Sequence, residues 1–232
     1  MKLRSGETAR NYLSQEQALK IEGFIFDLDG TLGNTLPVCY AAFRHVFAEY
    51  LGRQYSDAEV AALFGPSEEG IFQKLVPERW ESCMQSYLEA YERLHEGYAG
   101  PFPGLERALA LLQERDVPMA IVTGKGAGSA EISLRHLGIA RYFALIEAGS
   151  AGGAVKPQAM AKIIAQWGVP AAHVASVGDA AADVRAAKKV GAIALGAAWA
   201  ETVNLARLRA EEPLTIFHHV EDFIAWIEQN VE

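Results

Sequence analysis

The sequence predicts an α/β fold: a doubly wound parallel sheet of Rossmann-like type with an all-helical domain inserted after the first strand. Three observations predict it. Short apolar runs alternate with amphipathic segments along most of the chain. One long interval, residues 35–100, breaks that alternation and carries only helical patterns. Acidic residues gather where apolar runs end.

The apolar runs are GFIFDLD, VPMAIVTG, YFALIEAG, HVASVGD, VGAIALGAAW and the weaker LTIFHH. Each is too short for a typical helix and reads as a strand buried on both faces. Gly138, Gly168 and Gly191 each follow an amphipathic segment, where a helix needs a left-handed residue to stop. Strand, helix, strand, helix means parallel βαβ units. The interrupting interval holds three or four helical segments, at Pro37 to Leu51, Asp57 to Phe64, Glu68 to Leu75 and Glu78 to Tyr98. Ser56-Asp57-Ala58-Glu59 reads as a capping box. Ala99-Gly100-Pro101-Phe102-Pro103-Gly104 is a stiff hinge back to the sheet. The expected organisation is a discontinuous core (22–34 and 101–232), a helical cap (35–100) and an N-terminal extension (1–21) in which Ser14 to Lys20 forms a short helix. An insert after a strand's carboxyl end lies over the face where open α/β sheets bind ligands, as a lid would.

Bulk properties narrow the function. The 232 residues are half hydrophobic and carry a net charge of -8, which disfavours nucleic acid and anionic membrane as partners. Cys39 and Cys83 form no framework and read as reduced thiols. No apolar run approaches a membrane span, and the N-terminal segment lacks the apolar centre of a signal peptide. A cytoplasmic monomer or homodimer is expected.

The chemistry sits at the carboxyl ends of the runs. The first ends in Asp27-Leu28-Asp29-Gly30-Thr31 and the second in Thr123-Gly124-Lys125. A glycine-rich loop after the third reaches Lys156-Pro157, and the fourth ends in Gly178-Asp179 with Asp183 four residues on. A parallel sheet sets these ends side by side. Asp27, Asp29, Asp179 and Asp183 against Lys156 leave a formal -3, which a divalent cation would relieve. An all-oxygen set suits a hard ion, and Mg2+ takes one or two carboxylates plus water and phosphate. One crowded aspartate would then hold a proton, as a general acid must.

These motifs, in this order and at these spacings, resemble the haloacid dehalogenase superfamily of hydrolases. The resemblance spans residues 22–232 and points to the phosphatase branch with a helical cap, similar to phosphoglycolate phosphatases. It implies that Asp27 attacks phosphorus and forms an aspartyl-phosphate. It implies that Asp29 protonates the leaving oxygen and then deprotonates water. Thr123, Gly124 and Lys156 would hold the phosphoryl oxygens. Mg2+ would rest on the Asp27 carboxylate, the Asp29 carbonyl and the Asp179 carboxylate, with Asp183 behind them or orienting Lys156. Gly30 and Thr31 would turn the chain so that both acids enter the cleft. The implied partner is a small phosphorylated metabolite.

Two positions depart from the family's pattern. Asn34 stands where an acid usually opens the cap, and Lys156-Pro157-Gln158-Ala159 lacks a second proline. Taken alone, each motif residue also has an ordinary reading: a solvated turn for DxDG, a surface lysine for Lys156, a helix-stabilising acid for Asp183. Lys125 reads as solvated. Tyr87, Tyr91 and Leu94 read as packing within the cap, and His218 and His219 as surface or sheet edge. Gly65-Pro66-Ser67-Glu68-Glu69-Gly70 reads as a loop that dips toward substrate. A sugar phosphomutase shares core and cap and is the alternative function. A metal-independent dehalogenase is disfavoured by Asp29 and the DGT continuation, and a phosphate-sensing module by the intact motif set.

Overall fold

A computed structural model describes residues 19–97 and 100–232. Six parallel strands form one sheet: β1 (Gly23–Phe26), β2 (Met119–Val122), β3 (Leu145–Glu147), β4 (Val174–Gly178), β5 (Ile193–Ala197) and β6 (Thr215–Phe217). Their order is β3-β2-β1-β4-β5-β6. The chain winds outward from β1 in one direction and from β4 in the other, so the topological switch lies between them. Ligands of open α/β sheets bind at that point.

The side-chain period of two builds both faces. Phe24, Phe26, Ile121, Val177 and Leu195 face one layer of core. There they meet helices α5 (Leu105–Glu114), α6 (Ala127–Leu137) and α10 (Val220–Asn230). Ile25, Ala120, Val122 and Ala194 face the other, against α7 (Lys156–Trp167) and α8 (Ala181–Val190). A shorter helix, α9 (Leu205–Ala210), adds Leu208 to that second layer. Gly138, Gly168 and Gly191 end α6, α7 and α8 in the left-handed conformation expected of them, with φ of 70°, 68° and 79°.

The interval after β1 holds four helices: α1 (Leu36–Leu51), α2 (Asp57–Ala61), α3 (Glu68–Leu75) and α4 (Trp80–His95). They enclose a hydrophobic cluster of their own, built on Phe43, Phe47, Phe72, Tyr87 and Tyr91 and joined by Ile132 of α6. The Ser56–Glu59 capping box is present in both directions, with each residue's side chain bonded to the other's backbone N–H. Cys39 and Cys83 are buried free thiols.

Three readings of the sequence need correction. β3 is an edge strand and not buried on both faces: Ile146 is 44 % exposed, because among the described residues only β2 pairs with it. The second insert helix ends at Ala61 instead of Phe64, and the fourth runs Trp80–His95, shorter at both ends than expected. Residues 14–18 of the expected N-terminal helix lie outside the described residues, while Leu19 and Lys20 are not helical. Among the described residues, no helix is long and apolar enough to cross a membrane.

Candidate active site

The two aspartates of the opening motif leave β1 in different directions. The Asp27 amide donates to Val177 O at 2.9 Å, extending the ladder one residue past the strand. The chain then turns about the Leu28 carbonyl, which accepts from the Leu32 amide at 3.0 Å. Gly30 makes the turn possible twice over. Its φ is +83°, and a Cβ there would lie 2.5 Å from Asp179 Oδ2. The Trp199 indole N–H donates to the Thr31 carbonyl at 3.0 Å and pins the loop from the β5 side.

Asp27 joins Asp179 and Asp183. Each of the three offers a carboxylate oxygen, those oxygens lie within 4.8 Å of one another, and all three residues are buried. Lys156, the first residue of α7, reaches across with Nζ 2.7 Å from Asp27 Oδ1 and 2.5 Å from Asp183 Oδ1. Asp183 Oδ2 accepts the Ala180 amide at 3.0 Å, so this residue both opens α8 and orients the lysine. Asp183 therefore supports the first turn of α8 and contacts Lys156 at once. Thr31 Oγ1 lies 3.4 Å from Asp179 Oδ1.

The electrostatics follow from crowding. Burial, together with Asp183 and Asp29, outweighs Lys156 and pushes the Asp27 carboxyl up to about 7. Asp179 is raised well above the carboxylate range by burial and by Asp27 and Asp183. Burial pulls Lys156 down, but Asp183 and Asp27 outweigh it and hold the ammonium charged. Three buried carboxylates with one lysine are a poor ionic arrangement by themselves, and a hard divalent cation fits them. The missing Cβ of Gly30 keeps the space beside Asp179 open for such a site.

Asp29 faces away from this cluster. Its Oδ1 accepts the Thr35 hydroxyl at 2.5 Å, and Lys125 Nζ lies 3.4 Å from the same atom. Lys125 was expected in solvent. Instead its side chain is 2 % exposed, because the insert closes over it. It lies 3.6 Å from Glu68 Oε1 and 4.4 Å from the centre of the Tyr91 ring. Burial opposes its charge, but Asp29, Tyr91, Cys39 and Glu68 outweigh burial and hold it well above the lysine range. Reading the sequence missed Lys125 as a neighbour of Asp29, and it placed Glu68 only within a loop that dips toward substrate, not against Lys125. The one local signal was the position of Lys125, two residues past a motif threonine.

Thr123 and Gly124 stand at the end of β2 as expected. Thr123 is buried, donates its amide to Glu147 O at 3.0 Å and accepts the Lys125 amide on Oγ1 at 3.2 Å. Gly124 is exposed, and nothing would oppose a Cβ there. Its carbonyl instead crowds Gly149, where a Cβ would come within 2.0 Å. The loop before α3 does reach the core: the Ser67 amide donates to Ser150 O at 2.9 Å. Tyr87 and Tyr91 are fully buried in the insert cluster. Their hydroxyls also touch Glu68 at 3.4 Å and Ser133 at 2.8 Å, so the stripe packs and bonds at once. His218 and His219 are exposed at the end of β6, as expected.

A six-stranded parallel sheet with an aspartate pair at the end of a central strand and a lysine–aspartate cluster beside it defines an α/β protein of the doubly wound class. The chain belongs to the haloacid dehalogenase-like hydrolase family, whose pattern it matches over residues 24–197. It is 30% identical over 191 residues to the phosphoglycolate phosphatase of Neisseria meningitidis, covering 76% of this chain and 80% of that one. It is 29% identical over 175 residues to the pyrophosphatase PpaX of Halalkalibacterium halodurans, covering 75% and 81%. Among solved structures it resembles a predicted phosphoglycolate phosphatase from Haemophilus somnus, with a TM-score of 0.76 at 20% identity over 89% of this chain and 97% of that one. It also resembles a β-phosphoglucomutase from Clostridium difficile, with a TM-score of 0.73 at 19% identity over 90% and 96%. At such identities the structures speak for the fold alone.

Proposed function

We propose that the protein is a magnesium-dependent phosphatase that hydrolyses a small phosphomonoester through an aspartyl-phosphate. The observation that carries this reading is the separate setting of the two aspartates: Asp27 lies 2.7 Å from Lys156, and Asp29 faces the insert. Asp27 attacks phosphorus, an O–P bond forms, and the bond to the leaving oxygen breaks. Asp29 gives that oxygen a proton. Water then attacks the aspartyl-phosphate, Asp29 takes its proton, and inorganic phosphate leaves with Asp27 restored. Lys156, Thr123 and the loop amides at Gly124 balance charge on the phosphoryl oxygens. Asp27, Asp179 and the Asp29 carbonyl would hold Mg2+, which would supply positive charge to the phosphoryl group.

The insert acts as a cap over this site. Its placement above the sheet's carboxyl end and its contacts with Lys125 support that role. The relatives named phosphoglycolate phosphatase and pyrophosphatase both take substrates whose leaving group is itself an anion. A buried lysine beside Asp29 suits such a leaving group, so phosphoglycolate-like compounds head the candidates. The protein works as a cytoplasmic monomer or homodimer with no nucleic acid or membrane partner.

The test is phosphate release from a panel of phosphoglycolate, pyrophosphate, sugar phosphates and nucleoside monophosphates. Activity should vanish with EDTA, return with magnesium and be absent in Asp27→Asn. Equal activity in wild type and Asp27→Asn, or indifference to chelation, overturns the mechanism. A sugar 1-phosphate converted to its 6-phosphate without net phosphate release would assign the phosphomutase alternative.

A further inference from the structure

Glu68 is a charged residue of the insert that is 4 % exposed and bonded almost wholly to the core. It is the first residue of α3, yet it serves another helix. Its Oε2 accepts the Gly126 amide at 2.5 Å, and its Oε1 accepts the Ser129 hydroxyl at 2.6 Å. Gly126 is the N-cap position of α6 and has no side chain with which to cap it. One amide of that helix start is therefore satisfied by a carboxylate from a different part of the chain. A negative charge there also meets the positive end of the helix dipole. The same carboxylate holds Lys125 at 3.6 Å, and Lys125 in turn lies 3.4 Å from Asp29.

The fit around this contact is tight. A Cβ on Gly126 would come within 2.9 Å of carboxylate atoms of both Glu68 and Glu69. A Cβ on Gly70, two residues along α3, would come 2.3 Å from the Ala151 carbonyl oxygen. Small residues on both sides thus let α3 seat against two core loops at once.

We propose that Glu68 is a positioning residue that latches the insert to the core, capping α6 in trans and holding Lys125 between two carboxylates so that Asp29 is correctly set only when the insert is docked. The proposal rests on the phosphatase reading for its kinetic arm alone. With the insert undocked, α6 loses its cap, and Lys125 keeps Asp29 as its one carboxylate partner among those described here. Docking then assembles the proton donor while the nucleophile stands ready.

The test compares Glu68→Ala, Glu68→Gln and Ser129→Ala with wild type by amide exchange over residues 124–130 and by steady-state kinetics. In Glu68→Ala, exchange in that segment should accelerate about tenfold or more. Its kcat should fall about tenfold or more while KM moves less than about threefold, since a displaced proton donor costs turnover and not ground-state binding. Glu68→Gln keeps an oxygen for the Gly126 amide but no charge for Lys125, so its exchange should stay close to wild type while kcat still falls. Ser129→Ala should show both effects more weakly. Wild-type kcat in the folded Glu68 variants, or unchanged exchange in Glu68→Ala, overturns the proposal. If Glu68→Ala does not fold, Glu68→Gln and Ser129→Ala decide it by the same readouts. A wild-type protein that hydrolyses no phosphomonoester would sink the proposed function, while the exchange arm would still judge the latch.

Discussion

Two lysines each stand between two carboxylates in this molecule, and they are built differently. Lys156 lies 2.7 Å from Asp27 and 2.5 Å from Asp183, and all three belong to the core: Asp27 follows β1, Lys156 opens α7 and Asp183 lies in the first turn of α8. Lys125 lies 3.4 Å from Asp29 and 3.6 Å from Glu68, and Glu68 belongs to the insert, as does the Tyr91 ring beneath the ammonium. The first group needs the core alone. The second is complete only with α3 and α4 in place. The surroundings of Asp27, the proposed nucleophile, are therefore a property of the core, whereas those of Asp29, the proposed proton donor, depend on how the insert sits. Covering the site thus changes more than its access to water.

The largest effects should come from the first group. Asp27→Asn should lower phosphate release by roughly 10³-fold or more, because no nucleophile remains. The fold should persist, since Asn relieves a carboxyl already raised by burial and its neighbours. A folded Asp27→Asn protein with substantial turnover would put the nucleophile elsewhere.

The lysines themselves should separate next. Lys125→Met leaves Asp29 and Glu68 without their shared cation in a buried place, at a cost of about 3–5 kcal/mol in urea unfolding. Lys156→Met strips the cation from Asp27 and Asp183 and should cost a similar amount without metal. Magnesium should restore much of the loss in Lys156→Met and little in Lys125→Met, since the carboxylates that suit a metal are Asp27, Asp179 and Asp183. Equal rescue of both would erase the distinction between the two groups.

That distinction also marks where sequence reading succeeds. Asp27, Asp179 and Asp183 could be placed together because each follows a recognisable apolar run and a parallel sheet aligns run ends. Lys156 could be added because it precedes a proline between two motifs. Lys125 could not, since a lysine in a glycine-rich loop looks solvated until something covers it. What covers it is Glu68 and Tyr91, far off in the sequence, and the acids of the α3 first turn look like ordinary dipole partners. The edge position of β3 was hidden for a related reason. An apolar run reports strand character, and the exposure of Ile146 depends on pairing that no local pattern records.

A pH experiment sharpens the electrostatic half of the comparison. The Asp27 carboxyl rises from its ordinary 3.8 to about 7 in the folded, metal-free protein, so between those values the folded state holds more protons than the unfolded one. Stability from this group is therefore present at low pH and is lost as pH rises through that window. Asp179 shifts in the same direction. Magnesium should raise the melting temperature more at pH 7.5 than at pH 5, where it must displace a proton. Asp27→Asn should flatten the metal-free slope. A magnesium effect that is equal at both values would mean that the cation binds away from these carboxylates.

The smallest effect should come from Ser56, in the insert but outside the latch. Ser56 Oγ accepts the Glu59 amide at 3.3 Å and opens α2, a helix that meets neither lysine group. Ser56→Ala should cost about 1 kcal/mol of stability through loss of the cap. Its kcat should match wild type at temperatures where the protein is fully folded. The variant separates two meanings of dependence on the insert. If a weakened insert lowers turnover wherever it is weakened, then general insert stability governs the proton donor. If Ser56→Ala melts earlier yet turns over normally while Glu68→Gln does the reverse, the dependence runs through the single contact of Glu68 with Lys125 and α6.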